Sequence, residues 1–314
     1  MVKINTATYN ILRRAQNPGL AEKDYIECVV LDTLFSNAYI GDNFVFAGGA
    51  SLSKTYQLSM RIGQDIDLVC TDFEDIPDNH SRKQLEKFKK HFKYRVFDEI
   101  KQKIGEIINP EQQFLILTDQ DWRMLKNTES FMTSPTLHLM YKSEFSPNLG
   151  HLSIEVIPRK YPEKIIAQHS VVPYSIGQSI GNIPTVRFEQ TFWDKVYALH
   201  SNAVASRPHS NQFYSRHYYD VAILYGTNNI DLPGTQSMLF DIERHQAKYT
   251  LKNIAPLGTP GNVQLIPDSE TLEKLGNDYD QMADKFLGVR TDWAKIINNL
   301  ASLGHDLKKL QGGR

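Results

Sequence analysis

Phe44-Val45-Phe46-Ala47-Gly48-Gly49-Ala50-Ser51-Leu52-Ser53-Lys54, followed after one intervening segment by Asp65-Ile66-Asp67-Leu68-Val69-Cys70, is the stretch on which the fold turns. Apolar residues lead into a double glycine, and a breaker-free segment at 51–60 carries Leu52, Tyr56 and Leu58, so the order reads strand, glycine turn, helix. Arg61-Ile62-Gly63-Gln64 ends that helix. In residues 65–71, Asp65, Asp67 and Val69 alternate with Ile66, Leu68 and Cys70, which predicts a strand with an acidic face. Glycines let a backbone approach phosphate oxygens with no Cβ in the way, and N–H groups that open a helix attract anions. Gly48 and Gly49 therefore suit a triphosphate. Aspartates at i and i+2 project from one strand face about 7 Å apart, close enough to converge on a pair of divalent ions, and hard oxygen donors favour magnesium.

Outward from this block the pattern is α+β. An N-terminal helix is predicted over residues 21–35 from Ile26, Val29, Val30 and Leu34. Over residues 81–105, Leu85, Phe88, Phe92, Val96, Ile100 and Ile104 form a helical stripe, and nine Lys and Arg oppose only Glu86, Asp98 and Glu99. Its basic face, residues 82–103, is a candidate RNA contact, as phosphates are met chiefly by Lys and Arg. Strands are expected at 113–118, 135–141 and 151–157. Beyond Pro184 the periodicity turns helical, with Phe192, Val196, Leu199 and Ala203 on one stripe and Tyr218, Val221, Leu224 and Tyr225 on another that ends at Gly226. The Pro- and Gly-rich residues 158–183 mark the boundary. Two lobes are expected, an α+β lobe with a mixed sheet over 1–165 and a helical lobe over 166–314.

Other residues are candidates of differing kinds. Glu155, opposite in face to Leu152, Ile154 and Val156, is a third carboxylate if a neighbouring strand brings it beside Asp65 and Asp67, as a metal ligand or as acceptor of a hydroxyl proton. Asp119-Gln120-Asp121 and Asp278-Tyr279-Asp280 share the Asp-x-Asp form but lack the preceding glycines. Lys195 lies beside its helix's apolar stripe; Arg216 and Asp220 stand at i and i+4, in the weaker orientation for a helix-supporting ion pair. The loop Ser206-Arg207-Pro208-His209-Ser210 is a further basic candidate. His138 and His151 read as structural.

The 314 residues are 41% hydrophobic, with 35 basic and 36 acidic side chains and a formal charge of -1, which excludes disordered, collagenous and disulfide-scaffold classes and argues against non-specific coating of nucleic acid. No apolar run nears the roughly 18 residues that cross a bilayer. Met1-Val2-Lys3-Ile4-Asn5-Thr6 lacks signal-peptide order and the only cysteines are Cys28 and Cys70, so a reducing cytoplasm is expected. There is no Cys/His spacing for zinc and no Gly-x-Ser-x-Gly elbow.

The 46–56 block with Arg61-Ile62-Gly63-Gln64-Asp65-Ile66-Asp67-Leu68 resembles the AbiEii/MenT family of toxin nucleotidyltransferases, in the DNA polymerase β-like superfamily. Glu22-Lys23-Asp24-Tyr25, Phe192-Trp193-Asp194-Lys195, Ser215-Arg216-His217-Tyr218-Tyr219-Asp220 and Asp278-Tyr279-Asp280-Gln281-Met282 are similar to its further motifs, in order along the chain. The resemblance implies that Ser51 and Lys54 belong to the nucleotide-binding motif, that Asp65 and Asp67 hold two magnesium ions, that Lys195 contacts the NTP phosphates, and that Asp220 orients Lys195 or helps bind base or sugar. Arg216 belongs to the basic-x-x-x-Asp motif, and Glu155 corresponds to the superfamily's third carboxylate. The implied active site lies between the lobes, the implied acceptor is the tRNA 3′ end, and the implied partner is a cognate antitoxin. Transfer to a small molecule or a protein, and a non-catalytic nucleotide-binding module, are the alternatives. Where members commonly carry Ser in Phe-Ser-x-Asp, this chain has Gly63, so a phosphate contact or regulatory phosphorylation through that hydroxyl is absent.

Overall fold

Strand β1 (Phe44–Ala47) runs into helix α4 (Gly48–Lys54), and strand β2 (Asp65–Cys70) returns antiparallel beside β1 with Ala47 opposite Asp67. The computed structural model describes residues 4–63, 65–126, 134–205, 212–249, 257 and 259–310. Around the β1 and β2 pair a mixed seven-stranded sheet is built from β3 (Phe114–Thr118), β4 (Thr136–Lys142), β5 (Leu149–Pro158), β6 (Ile166–Val171) and β7 (Gly181–Val186), in the order β3-β4-β5-β2-β1-β7-β6. The chain is therefore α+β, as its patterning indicates. The β2/β5 and β1/β7 pairs are parallel and the others antiparallel. Ile66, Leu68, Leu137, Leu139, Leu152, Ile154 and Val156 are buried on one face, each alternating with a polar residue on the other.

Helix α2 (Pro18–Phe35) ties the sheet together, after α1 (Thr6–Leu12) and before α3 (Ala38–Asn43). Asn17 caps α2 by accepting from the Leu20 N–H, with Pro18 at the first helical position. Glu22 accepts from Ser143 Oγ and the Glu144 N–H in the β4–β5 turn.

The basic helix forms with one adjustment. Its buried residues Phe92, Val96, Ile100, Ile104 and Ile108 recur every fourth position, and on an α-helix each such step overshoots a full turn by about 40°. A π-turn at Val96–Ile100, between α5 (Arg82–Arg95) and α6 (Lys101–Ile108), widens the coil where that drift accumulates. Gly105 lies against Ile116, which pairs with Leu139 and through it with Leu152, so α6 covers the apolar face of the sheet. The helix that carries the basic stripe thus packs on the sheet face opposite the acids.

Two expectations need correction. The chain divides by its contacts after Arg187 and not after residue 165, with 58–60 joined to the second unit, because residues 166–186 supply the β6–β7 hairpin of the sheet. The helix expected at 51–60 stops at Lys54, where the chain turns to tertiary partners. Lys54 O accepts from the Val172 N–H, Tyr56 Oη donates to Val186 O, and Gln57 adopts a left-handed φ of 54°.

In the first unit α7 (Asp119–Lys126) lies between β3 and β4; the second unit is helical, with α8 (Phe188–Ala203), α9 (Ser215–Gly226), α10 (Leu232–Thr235), α11 (Ser237–Tyr249), α12 (Ser269–Asp280) and α13 (Trp293–Lys309). Phe192, Val196 and Leu199 of α8 and Tyr218, Val221 and Leu224 of α9 are buried, so both expected stripes face its core. Asp278 of α12 accepts from the backbone N–H and hydroxyl of Ser215 at 2.9 and 2.6 Å, capping α9 from outside the helix. No described helix is long and apolar enough to cross a membrane.

Candidate active site

The two aspartates acquire their third carboxylate through strand pairing. β5 runs parallel to β2 with Asp65 opposite Ser153 and Asp67 opposite Glu155, and register partners share a sheet face. Asp65, Asp67 and Glu155 are half-buried on that face while Ile66 and Ile154 are fully buried behind them. This donor set is hard oxygen throughout and suits a magnesium-type cation. Among the described residues no three His, Cys, Asp or Glu side chains are yet gathered at metal-holding distance. The Asp67 carboxylate lies against the glycine turn.

That turn is built for the acid. Gly48 has φ +74°, a conformation costly for any residue with a side chain, and a Cβ there would lie 1.6 Å from Asp67 Oδ2. Gly49 follows it, half-buried, at the start of α4. Ser51, expected to meet nucleotide, is fully buried, and its hydroxyl donates to Gly48 O at 2.8 Å, closing the turn.

Lys54 is the clear correction. Its side chain is 1% exposed, with Nζ on Asp24 and 2.8 Å from Glu27 Oε2, both equally buried on α2. Asp24 also accepts from the Tyr174 N–H. Burial acts to lower the Lys54 pKa, but Asp24 and then Glu27 overturn it and hold the ammonium above the ordinary lysine range. Lys54 therefore fastens the glycine-turn helix to α2, its ammonium shared between Asp24 and Glu27.

Gly63 has a steric cause. A Cβ there would sit 2.5 Å from Ala50 Cβ and 2.9 Å from Ala50 Cα, so α4 packs where the family serine's side chain would begin. Gly63→Ser is expected to destabilise the fold by about 1–3 kcal/mol and to lower the thermal midpoint; an unchanged midpoint contradicts the packing.

In the helical unit Lys195 of α8, 7% exposed, places Nζ 2.9 Å from Asp220 Oδ2 and 3.4 Å from His217 Nδ1 on α9. Asp220 is 1% exposed. Asp220 thus pairs with Lys195 across helices, and Arg216 stands half-buried one turn earlier on α9. The basic loop at 206–210 lies outside the described residues. Sequence reasoning names Asp24 within a motif but misses its pairing and Glu27, and it passes over a cluster of His138, His151, Trp122 and Asp119 on the acidic face.

A family model described as nucleotidyl transferase AbiEii toxin, type IV TA system, matches residues 29–299. No curated protein matches the sequence. Two solved structures from Helicobacter pylori are similar. One is JHP933, with 13% identity over 92% of this chain and 92% of that chain and a TM-score of 0.47. The other is named only provisionally as a nucleotidyltransferase, with 13% identity over 94% of this chain and 97% of that chain and a TM-score of 0.47.

Proposed function

Since this chain belongs to the AbiEii family of nucleotidyl transferase toxins, we propose that it moves a nucleoside monophosphate from an NTP to an RNA hydroxyl, that of the tRNA 3′ end, in the cytoplasm, and that an antitoxin restrains it. The observation that carries the site is the pairing of Asp67 with Glu155 on the face that the Gly48 turn abuts. Asp65, Asp67 and Glu155 hold the cations. Magnesium, when bound, supplies charge neutralisation at the α-phosphate and lowers the pKa of an attacking hydroxyl. The Gly48-Gly49 backbone approaches the triphosphate where side chains would exclude it. Lys195 offers its ammonium to the phosphates, and Asp220, buried beneath it, fixes where that ammonium points.

Lys195→Met is expected to lower transfer about 100-fold, the scale of one lost transition-state charge contact, with Asp220→Asn intermediate. Incubation with α-labelled NTPs and total tRNA reads both. Label entering tRNA with wild-type protein supports the reading. Label entering only protein or small molecules moves the acceptor, and no label with any acceptor overturns it.

A further inference from the structure

The acidic face carries a second built cluster. Thr136 is opposite Glu155, His138 opposite Ser153, and Met140 opposite His151, so His138 and His151 project on the same side as Asp65, Asp67 and Glu155. His151 stands one strand over and two residues on from Asp65, about 8 Å by strand geometry. His138 Nδ1 lies 3.0 Å from His151 Nε2. On its other side His138 Nε2 lies 3.6 Å from Asp119 Oδ1, at the start of α7. Both residues are 3% exposed, and neither of those two atoms has a hydrogen-bond partner among the described residues. Trp122 lies flat over both imidazoles, with centroids 4.7 and 4.4 Å away and planes within 11° and 7°.

This is a carboxylate followed by two imidazoles in line, held rigid by an indole. Asp119 lies beside His138 Nε2, and His138 Nδ1 meets His151 Nε2, so the three groups form one line that ends at His151. His138 is nearly enclosed and His151 half-exposed, so His151 is the working end.

The order across the sheet gives the array its role. From β1 toward β4 the face presents the glycine turn, Asp67, Glu155 and then the histidines. Phosphoryl transfer places attacking and leaving oxygens roughly in line. With the triphosphate at the glycine turn, pyrophosphate departs on the β1 side and the acceptor enters on the β5 and β4 side.

We propose that His151, with His138 and Asp119 as positioning residues, is the proton acceptor for the acceptor hydroxyl. This inference rests on the transfer reading above. The hydroxyl oxygen forms its bond to the α-phosphorus, its proton passes to His151, and the bond from α-phosphorus to the bridging oxygen breaks with its electron pair leaving on pyrophosphate. Asp119 stabilises the imidazolium that results.

The test compares wild type, His151→Ala, His151→Gln and Asp119→Asn by transfer of α-labelled NTP to tRNA, by equilibrium NTP binding, and by addition of free imidazole. A positioned base contributes about 10²- to 10⁴-fold. Both His151 variants are expected to lose at least about 100-fold in kcat with NTP affinity kept, free imidazole restoring activity to His151→Ala alone, and Asp119→Asn to lose about 10-fold. Transfer by His151→Gln near the wild-type rate overturns the proposal and leaves the transfer reading intact. So does loss of NTP affinity together with kcat, or an absence of imidazole rescue, each of which marks a structural role. Failure of wild-type protein to transfer label at all overturns both.

Discussion

Asp67→Asn is expected to abolish nucleotide transfer, by about 10³-fold or more, equivalent to about 4 kcal/mol of barrier, while the protein unfolds at or above the wild-type temperature. Asp67 shares a row with Glu155 and an alternate position with Asp65. Carboxylates that share a sheet face repel one another, so removing one charge relieves the fold even as it removes a proposed metal ligand. Asn keeps the shape that Gly48 is cut to receive. Label transfer measured beside a thermal melt checks both halves. Equal loss of activity and stability would mean that Asp67 is a packing residue.

The second large effect falls on stability. Lys54→Met leaves Asp24 and Glu27 buried with no counter-charge, and breaking such a pair costs about 3–5 kcal/mol. Because the Lys54 pKa is raised in the folded protein, the contribution of its ammonium is present through the neutral range and is lost in strong alkali, as pH rises through the folded value. The triple variant Lys54→Met, Asp24→Asn, Glu27→Gln is expected to regain most of the loss, since replacing a whole buried ion cluster is often neutral. Denaturant melts of the two variants make the comparison. A Lys54→Met protein of wild-type stability that no longer binds NTP would return Lys54 to the nucleotide.

These two residues also show where a sequence speaks and where it falls silent. Asp65 and Asp67 alternate with Ile66 and Leu68, and strand alternation is a local code, so their shared face could be read directly. The four-residue stripe from Phe92 to Ile104 revealed a helix for the same reason, though not the π-turn that the spacing requires. Lys54 cannot be read locally, because its partners stand 30 and 27 residues earlier, on a helix whose acids look solvent-facing although Asp24 and Glu27 are only 1% exposed. Pro162, Pro173 and Gly177 suggested a linker, yet residues 166–171 form a strand on the sheet's edge, where half-exposed Ile166, Ala167 and His169 leave little alternation to read. Asp119 lacks the preceding glycines and His138 and His151 read as structural, since only the pairing of β4 with β5 brings the two histidines together.

The most direct test is a crystal of the protein with manganese and a non-hydrolysable NTP, examined by anomalous scattering. Manganese peaks held by Asp65 and Asp67, with Glu155 at hand and the triphosphate against the Gly48-Gly49 backbone, are the result this account predicts. Manganese elsewhere, or a triphosphate bound away from that turn, would contradict it.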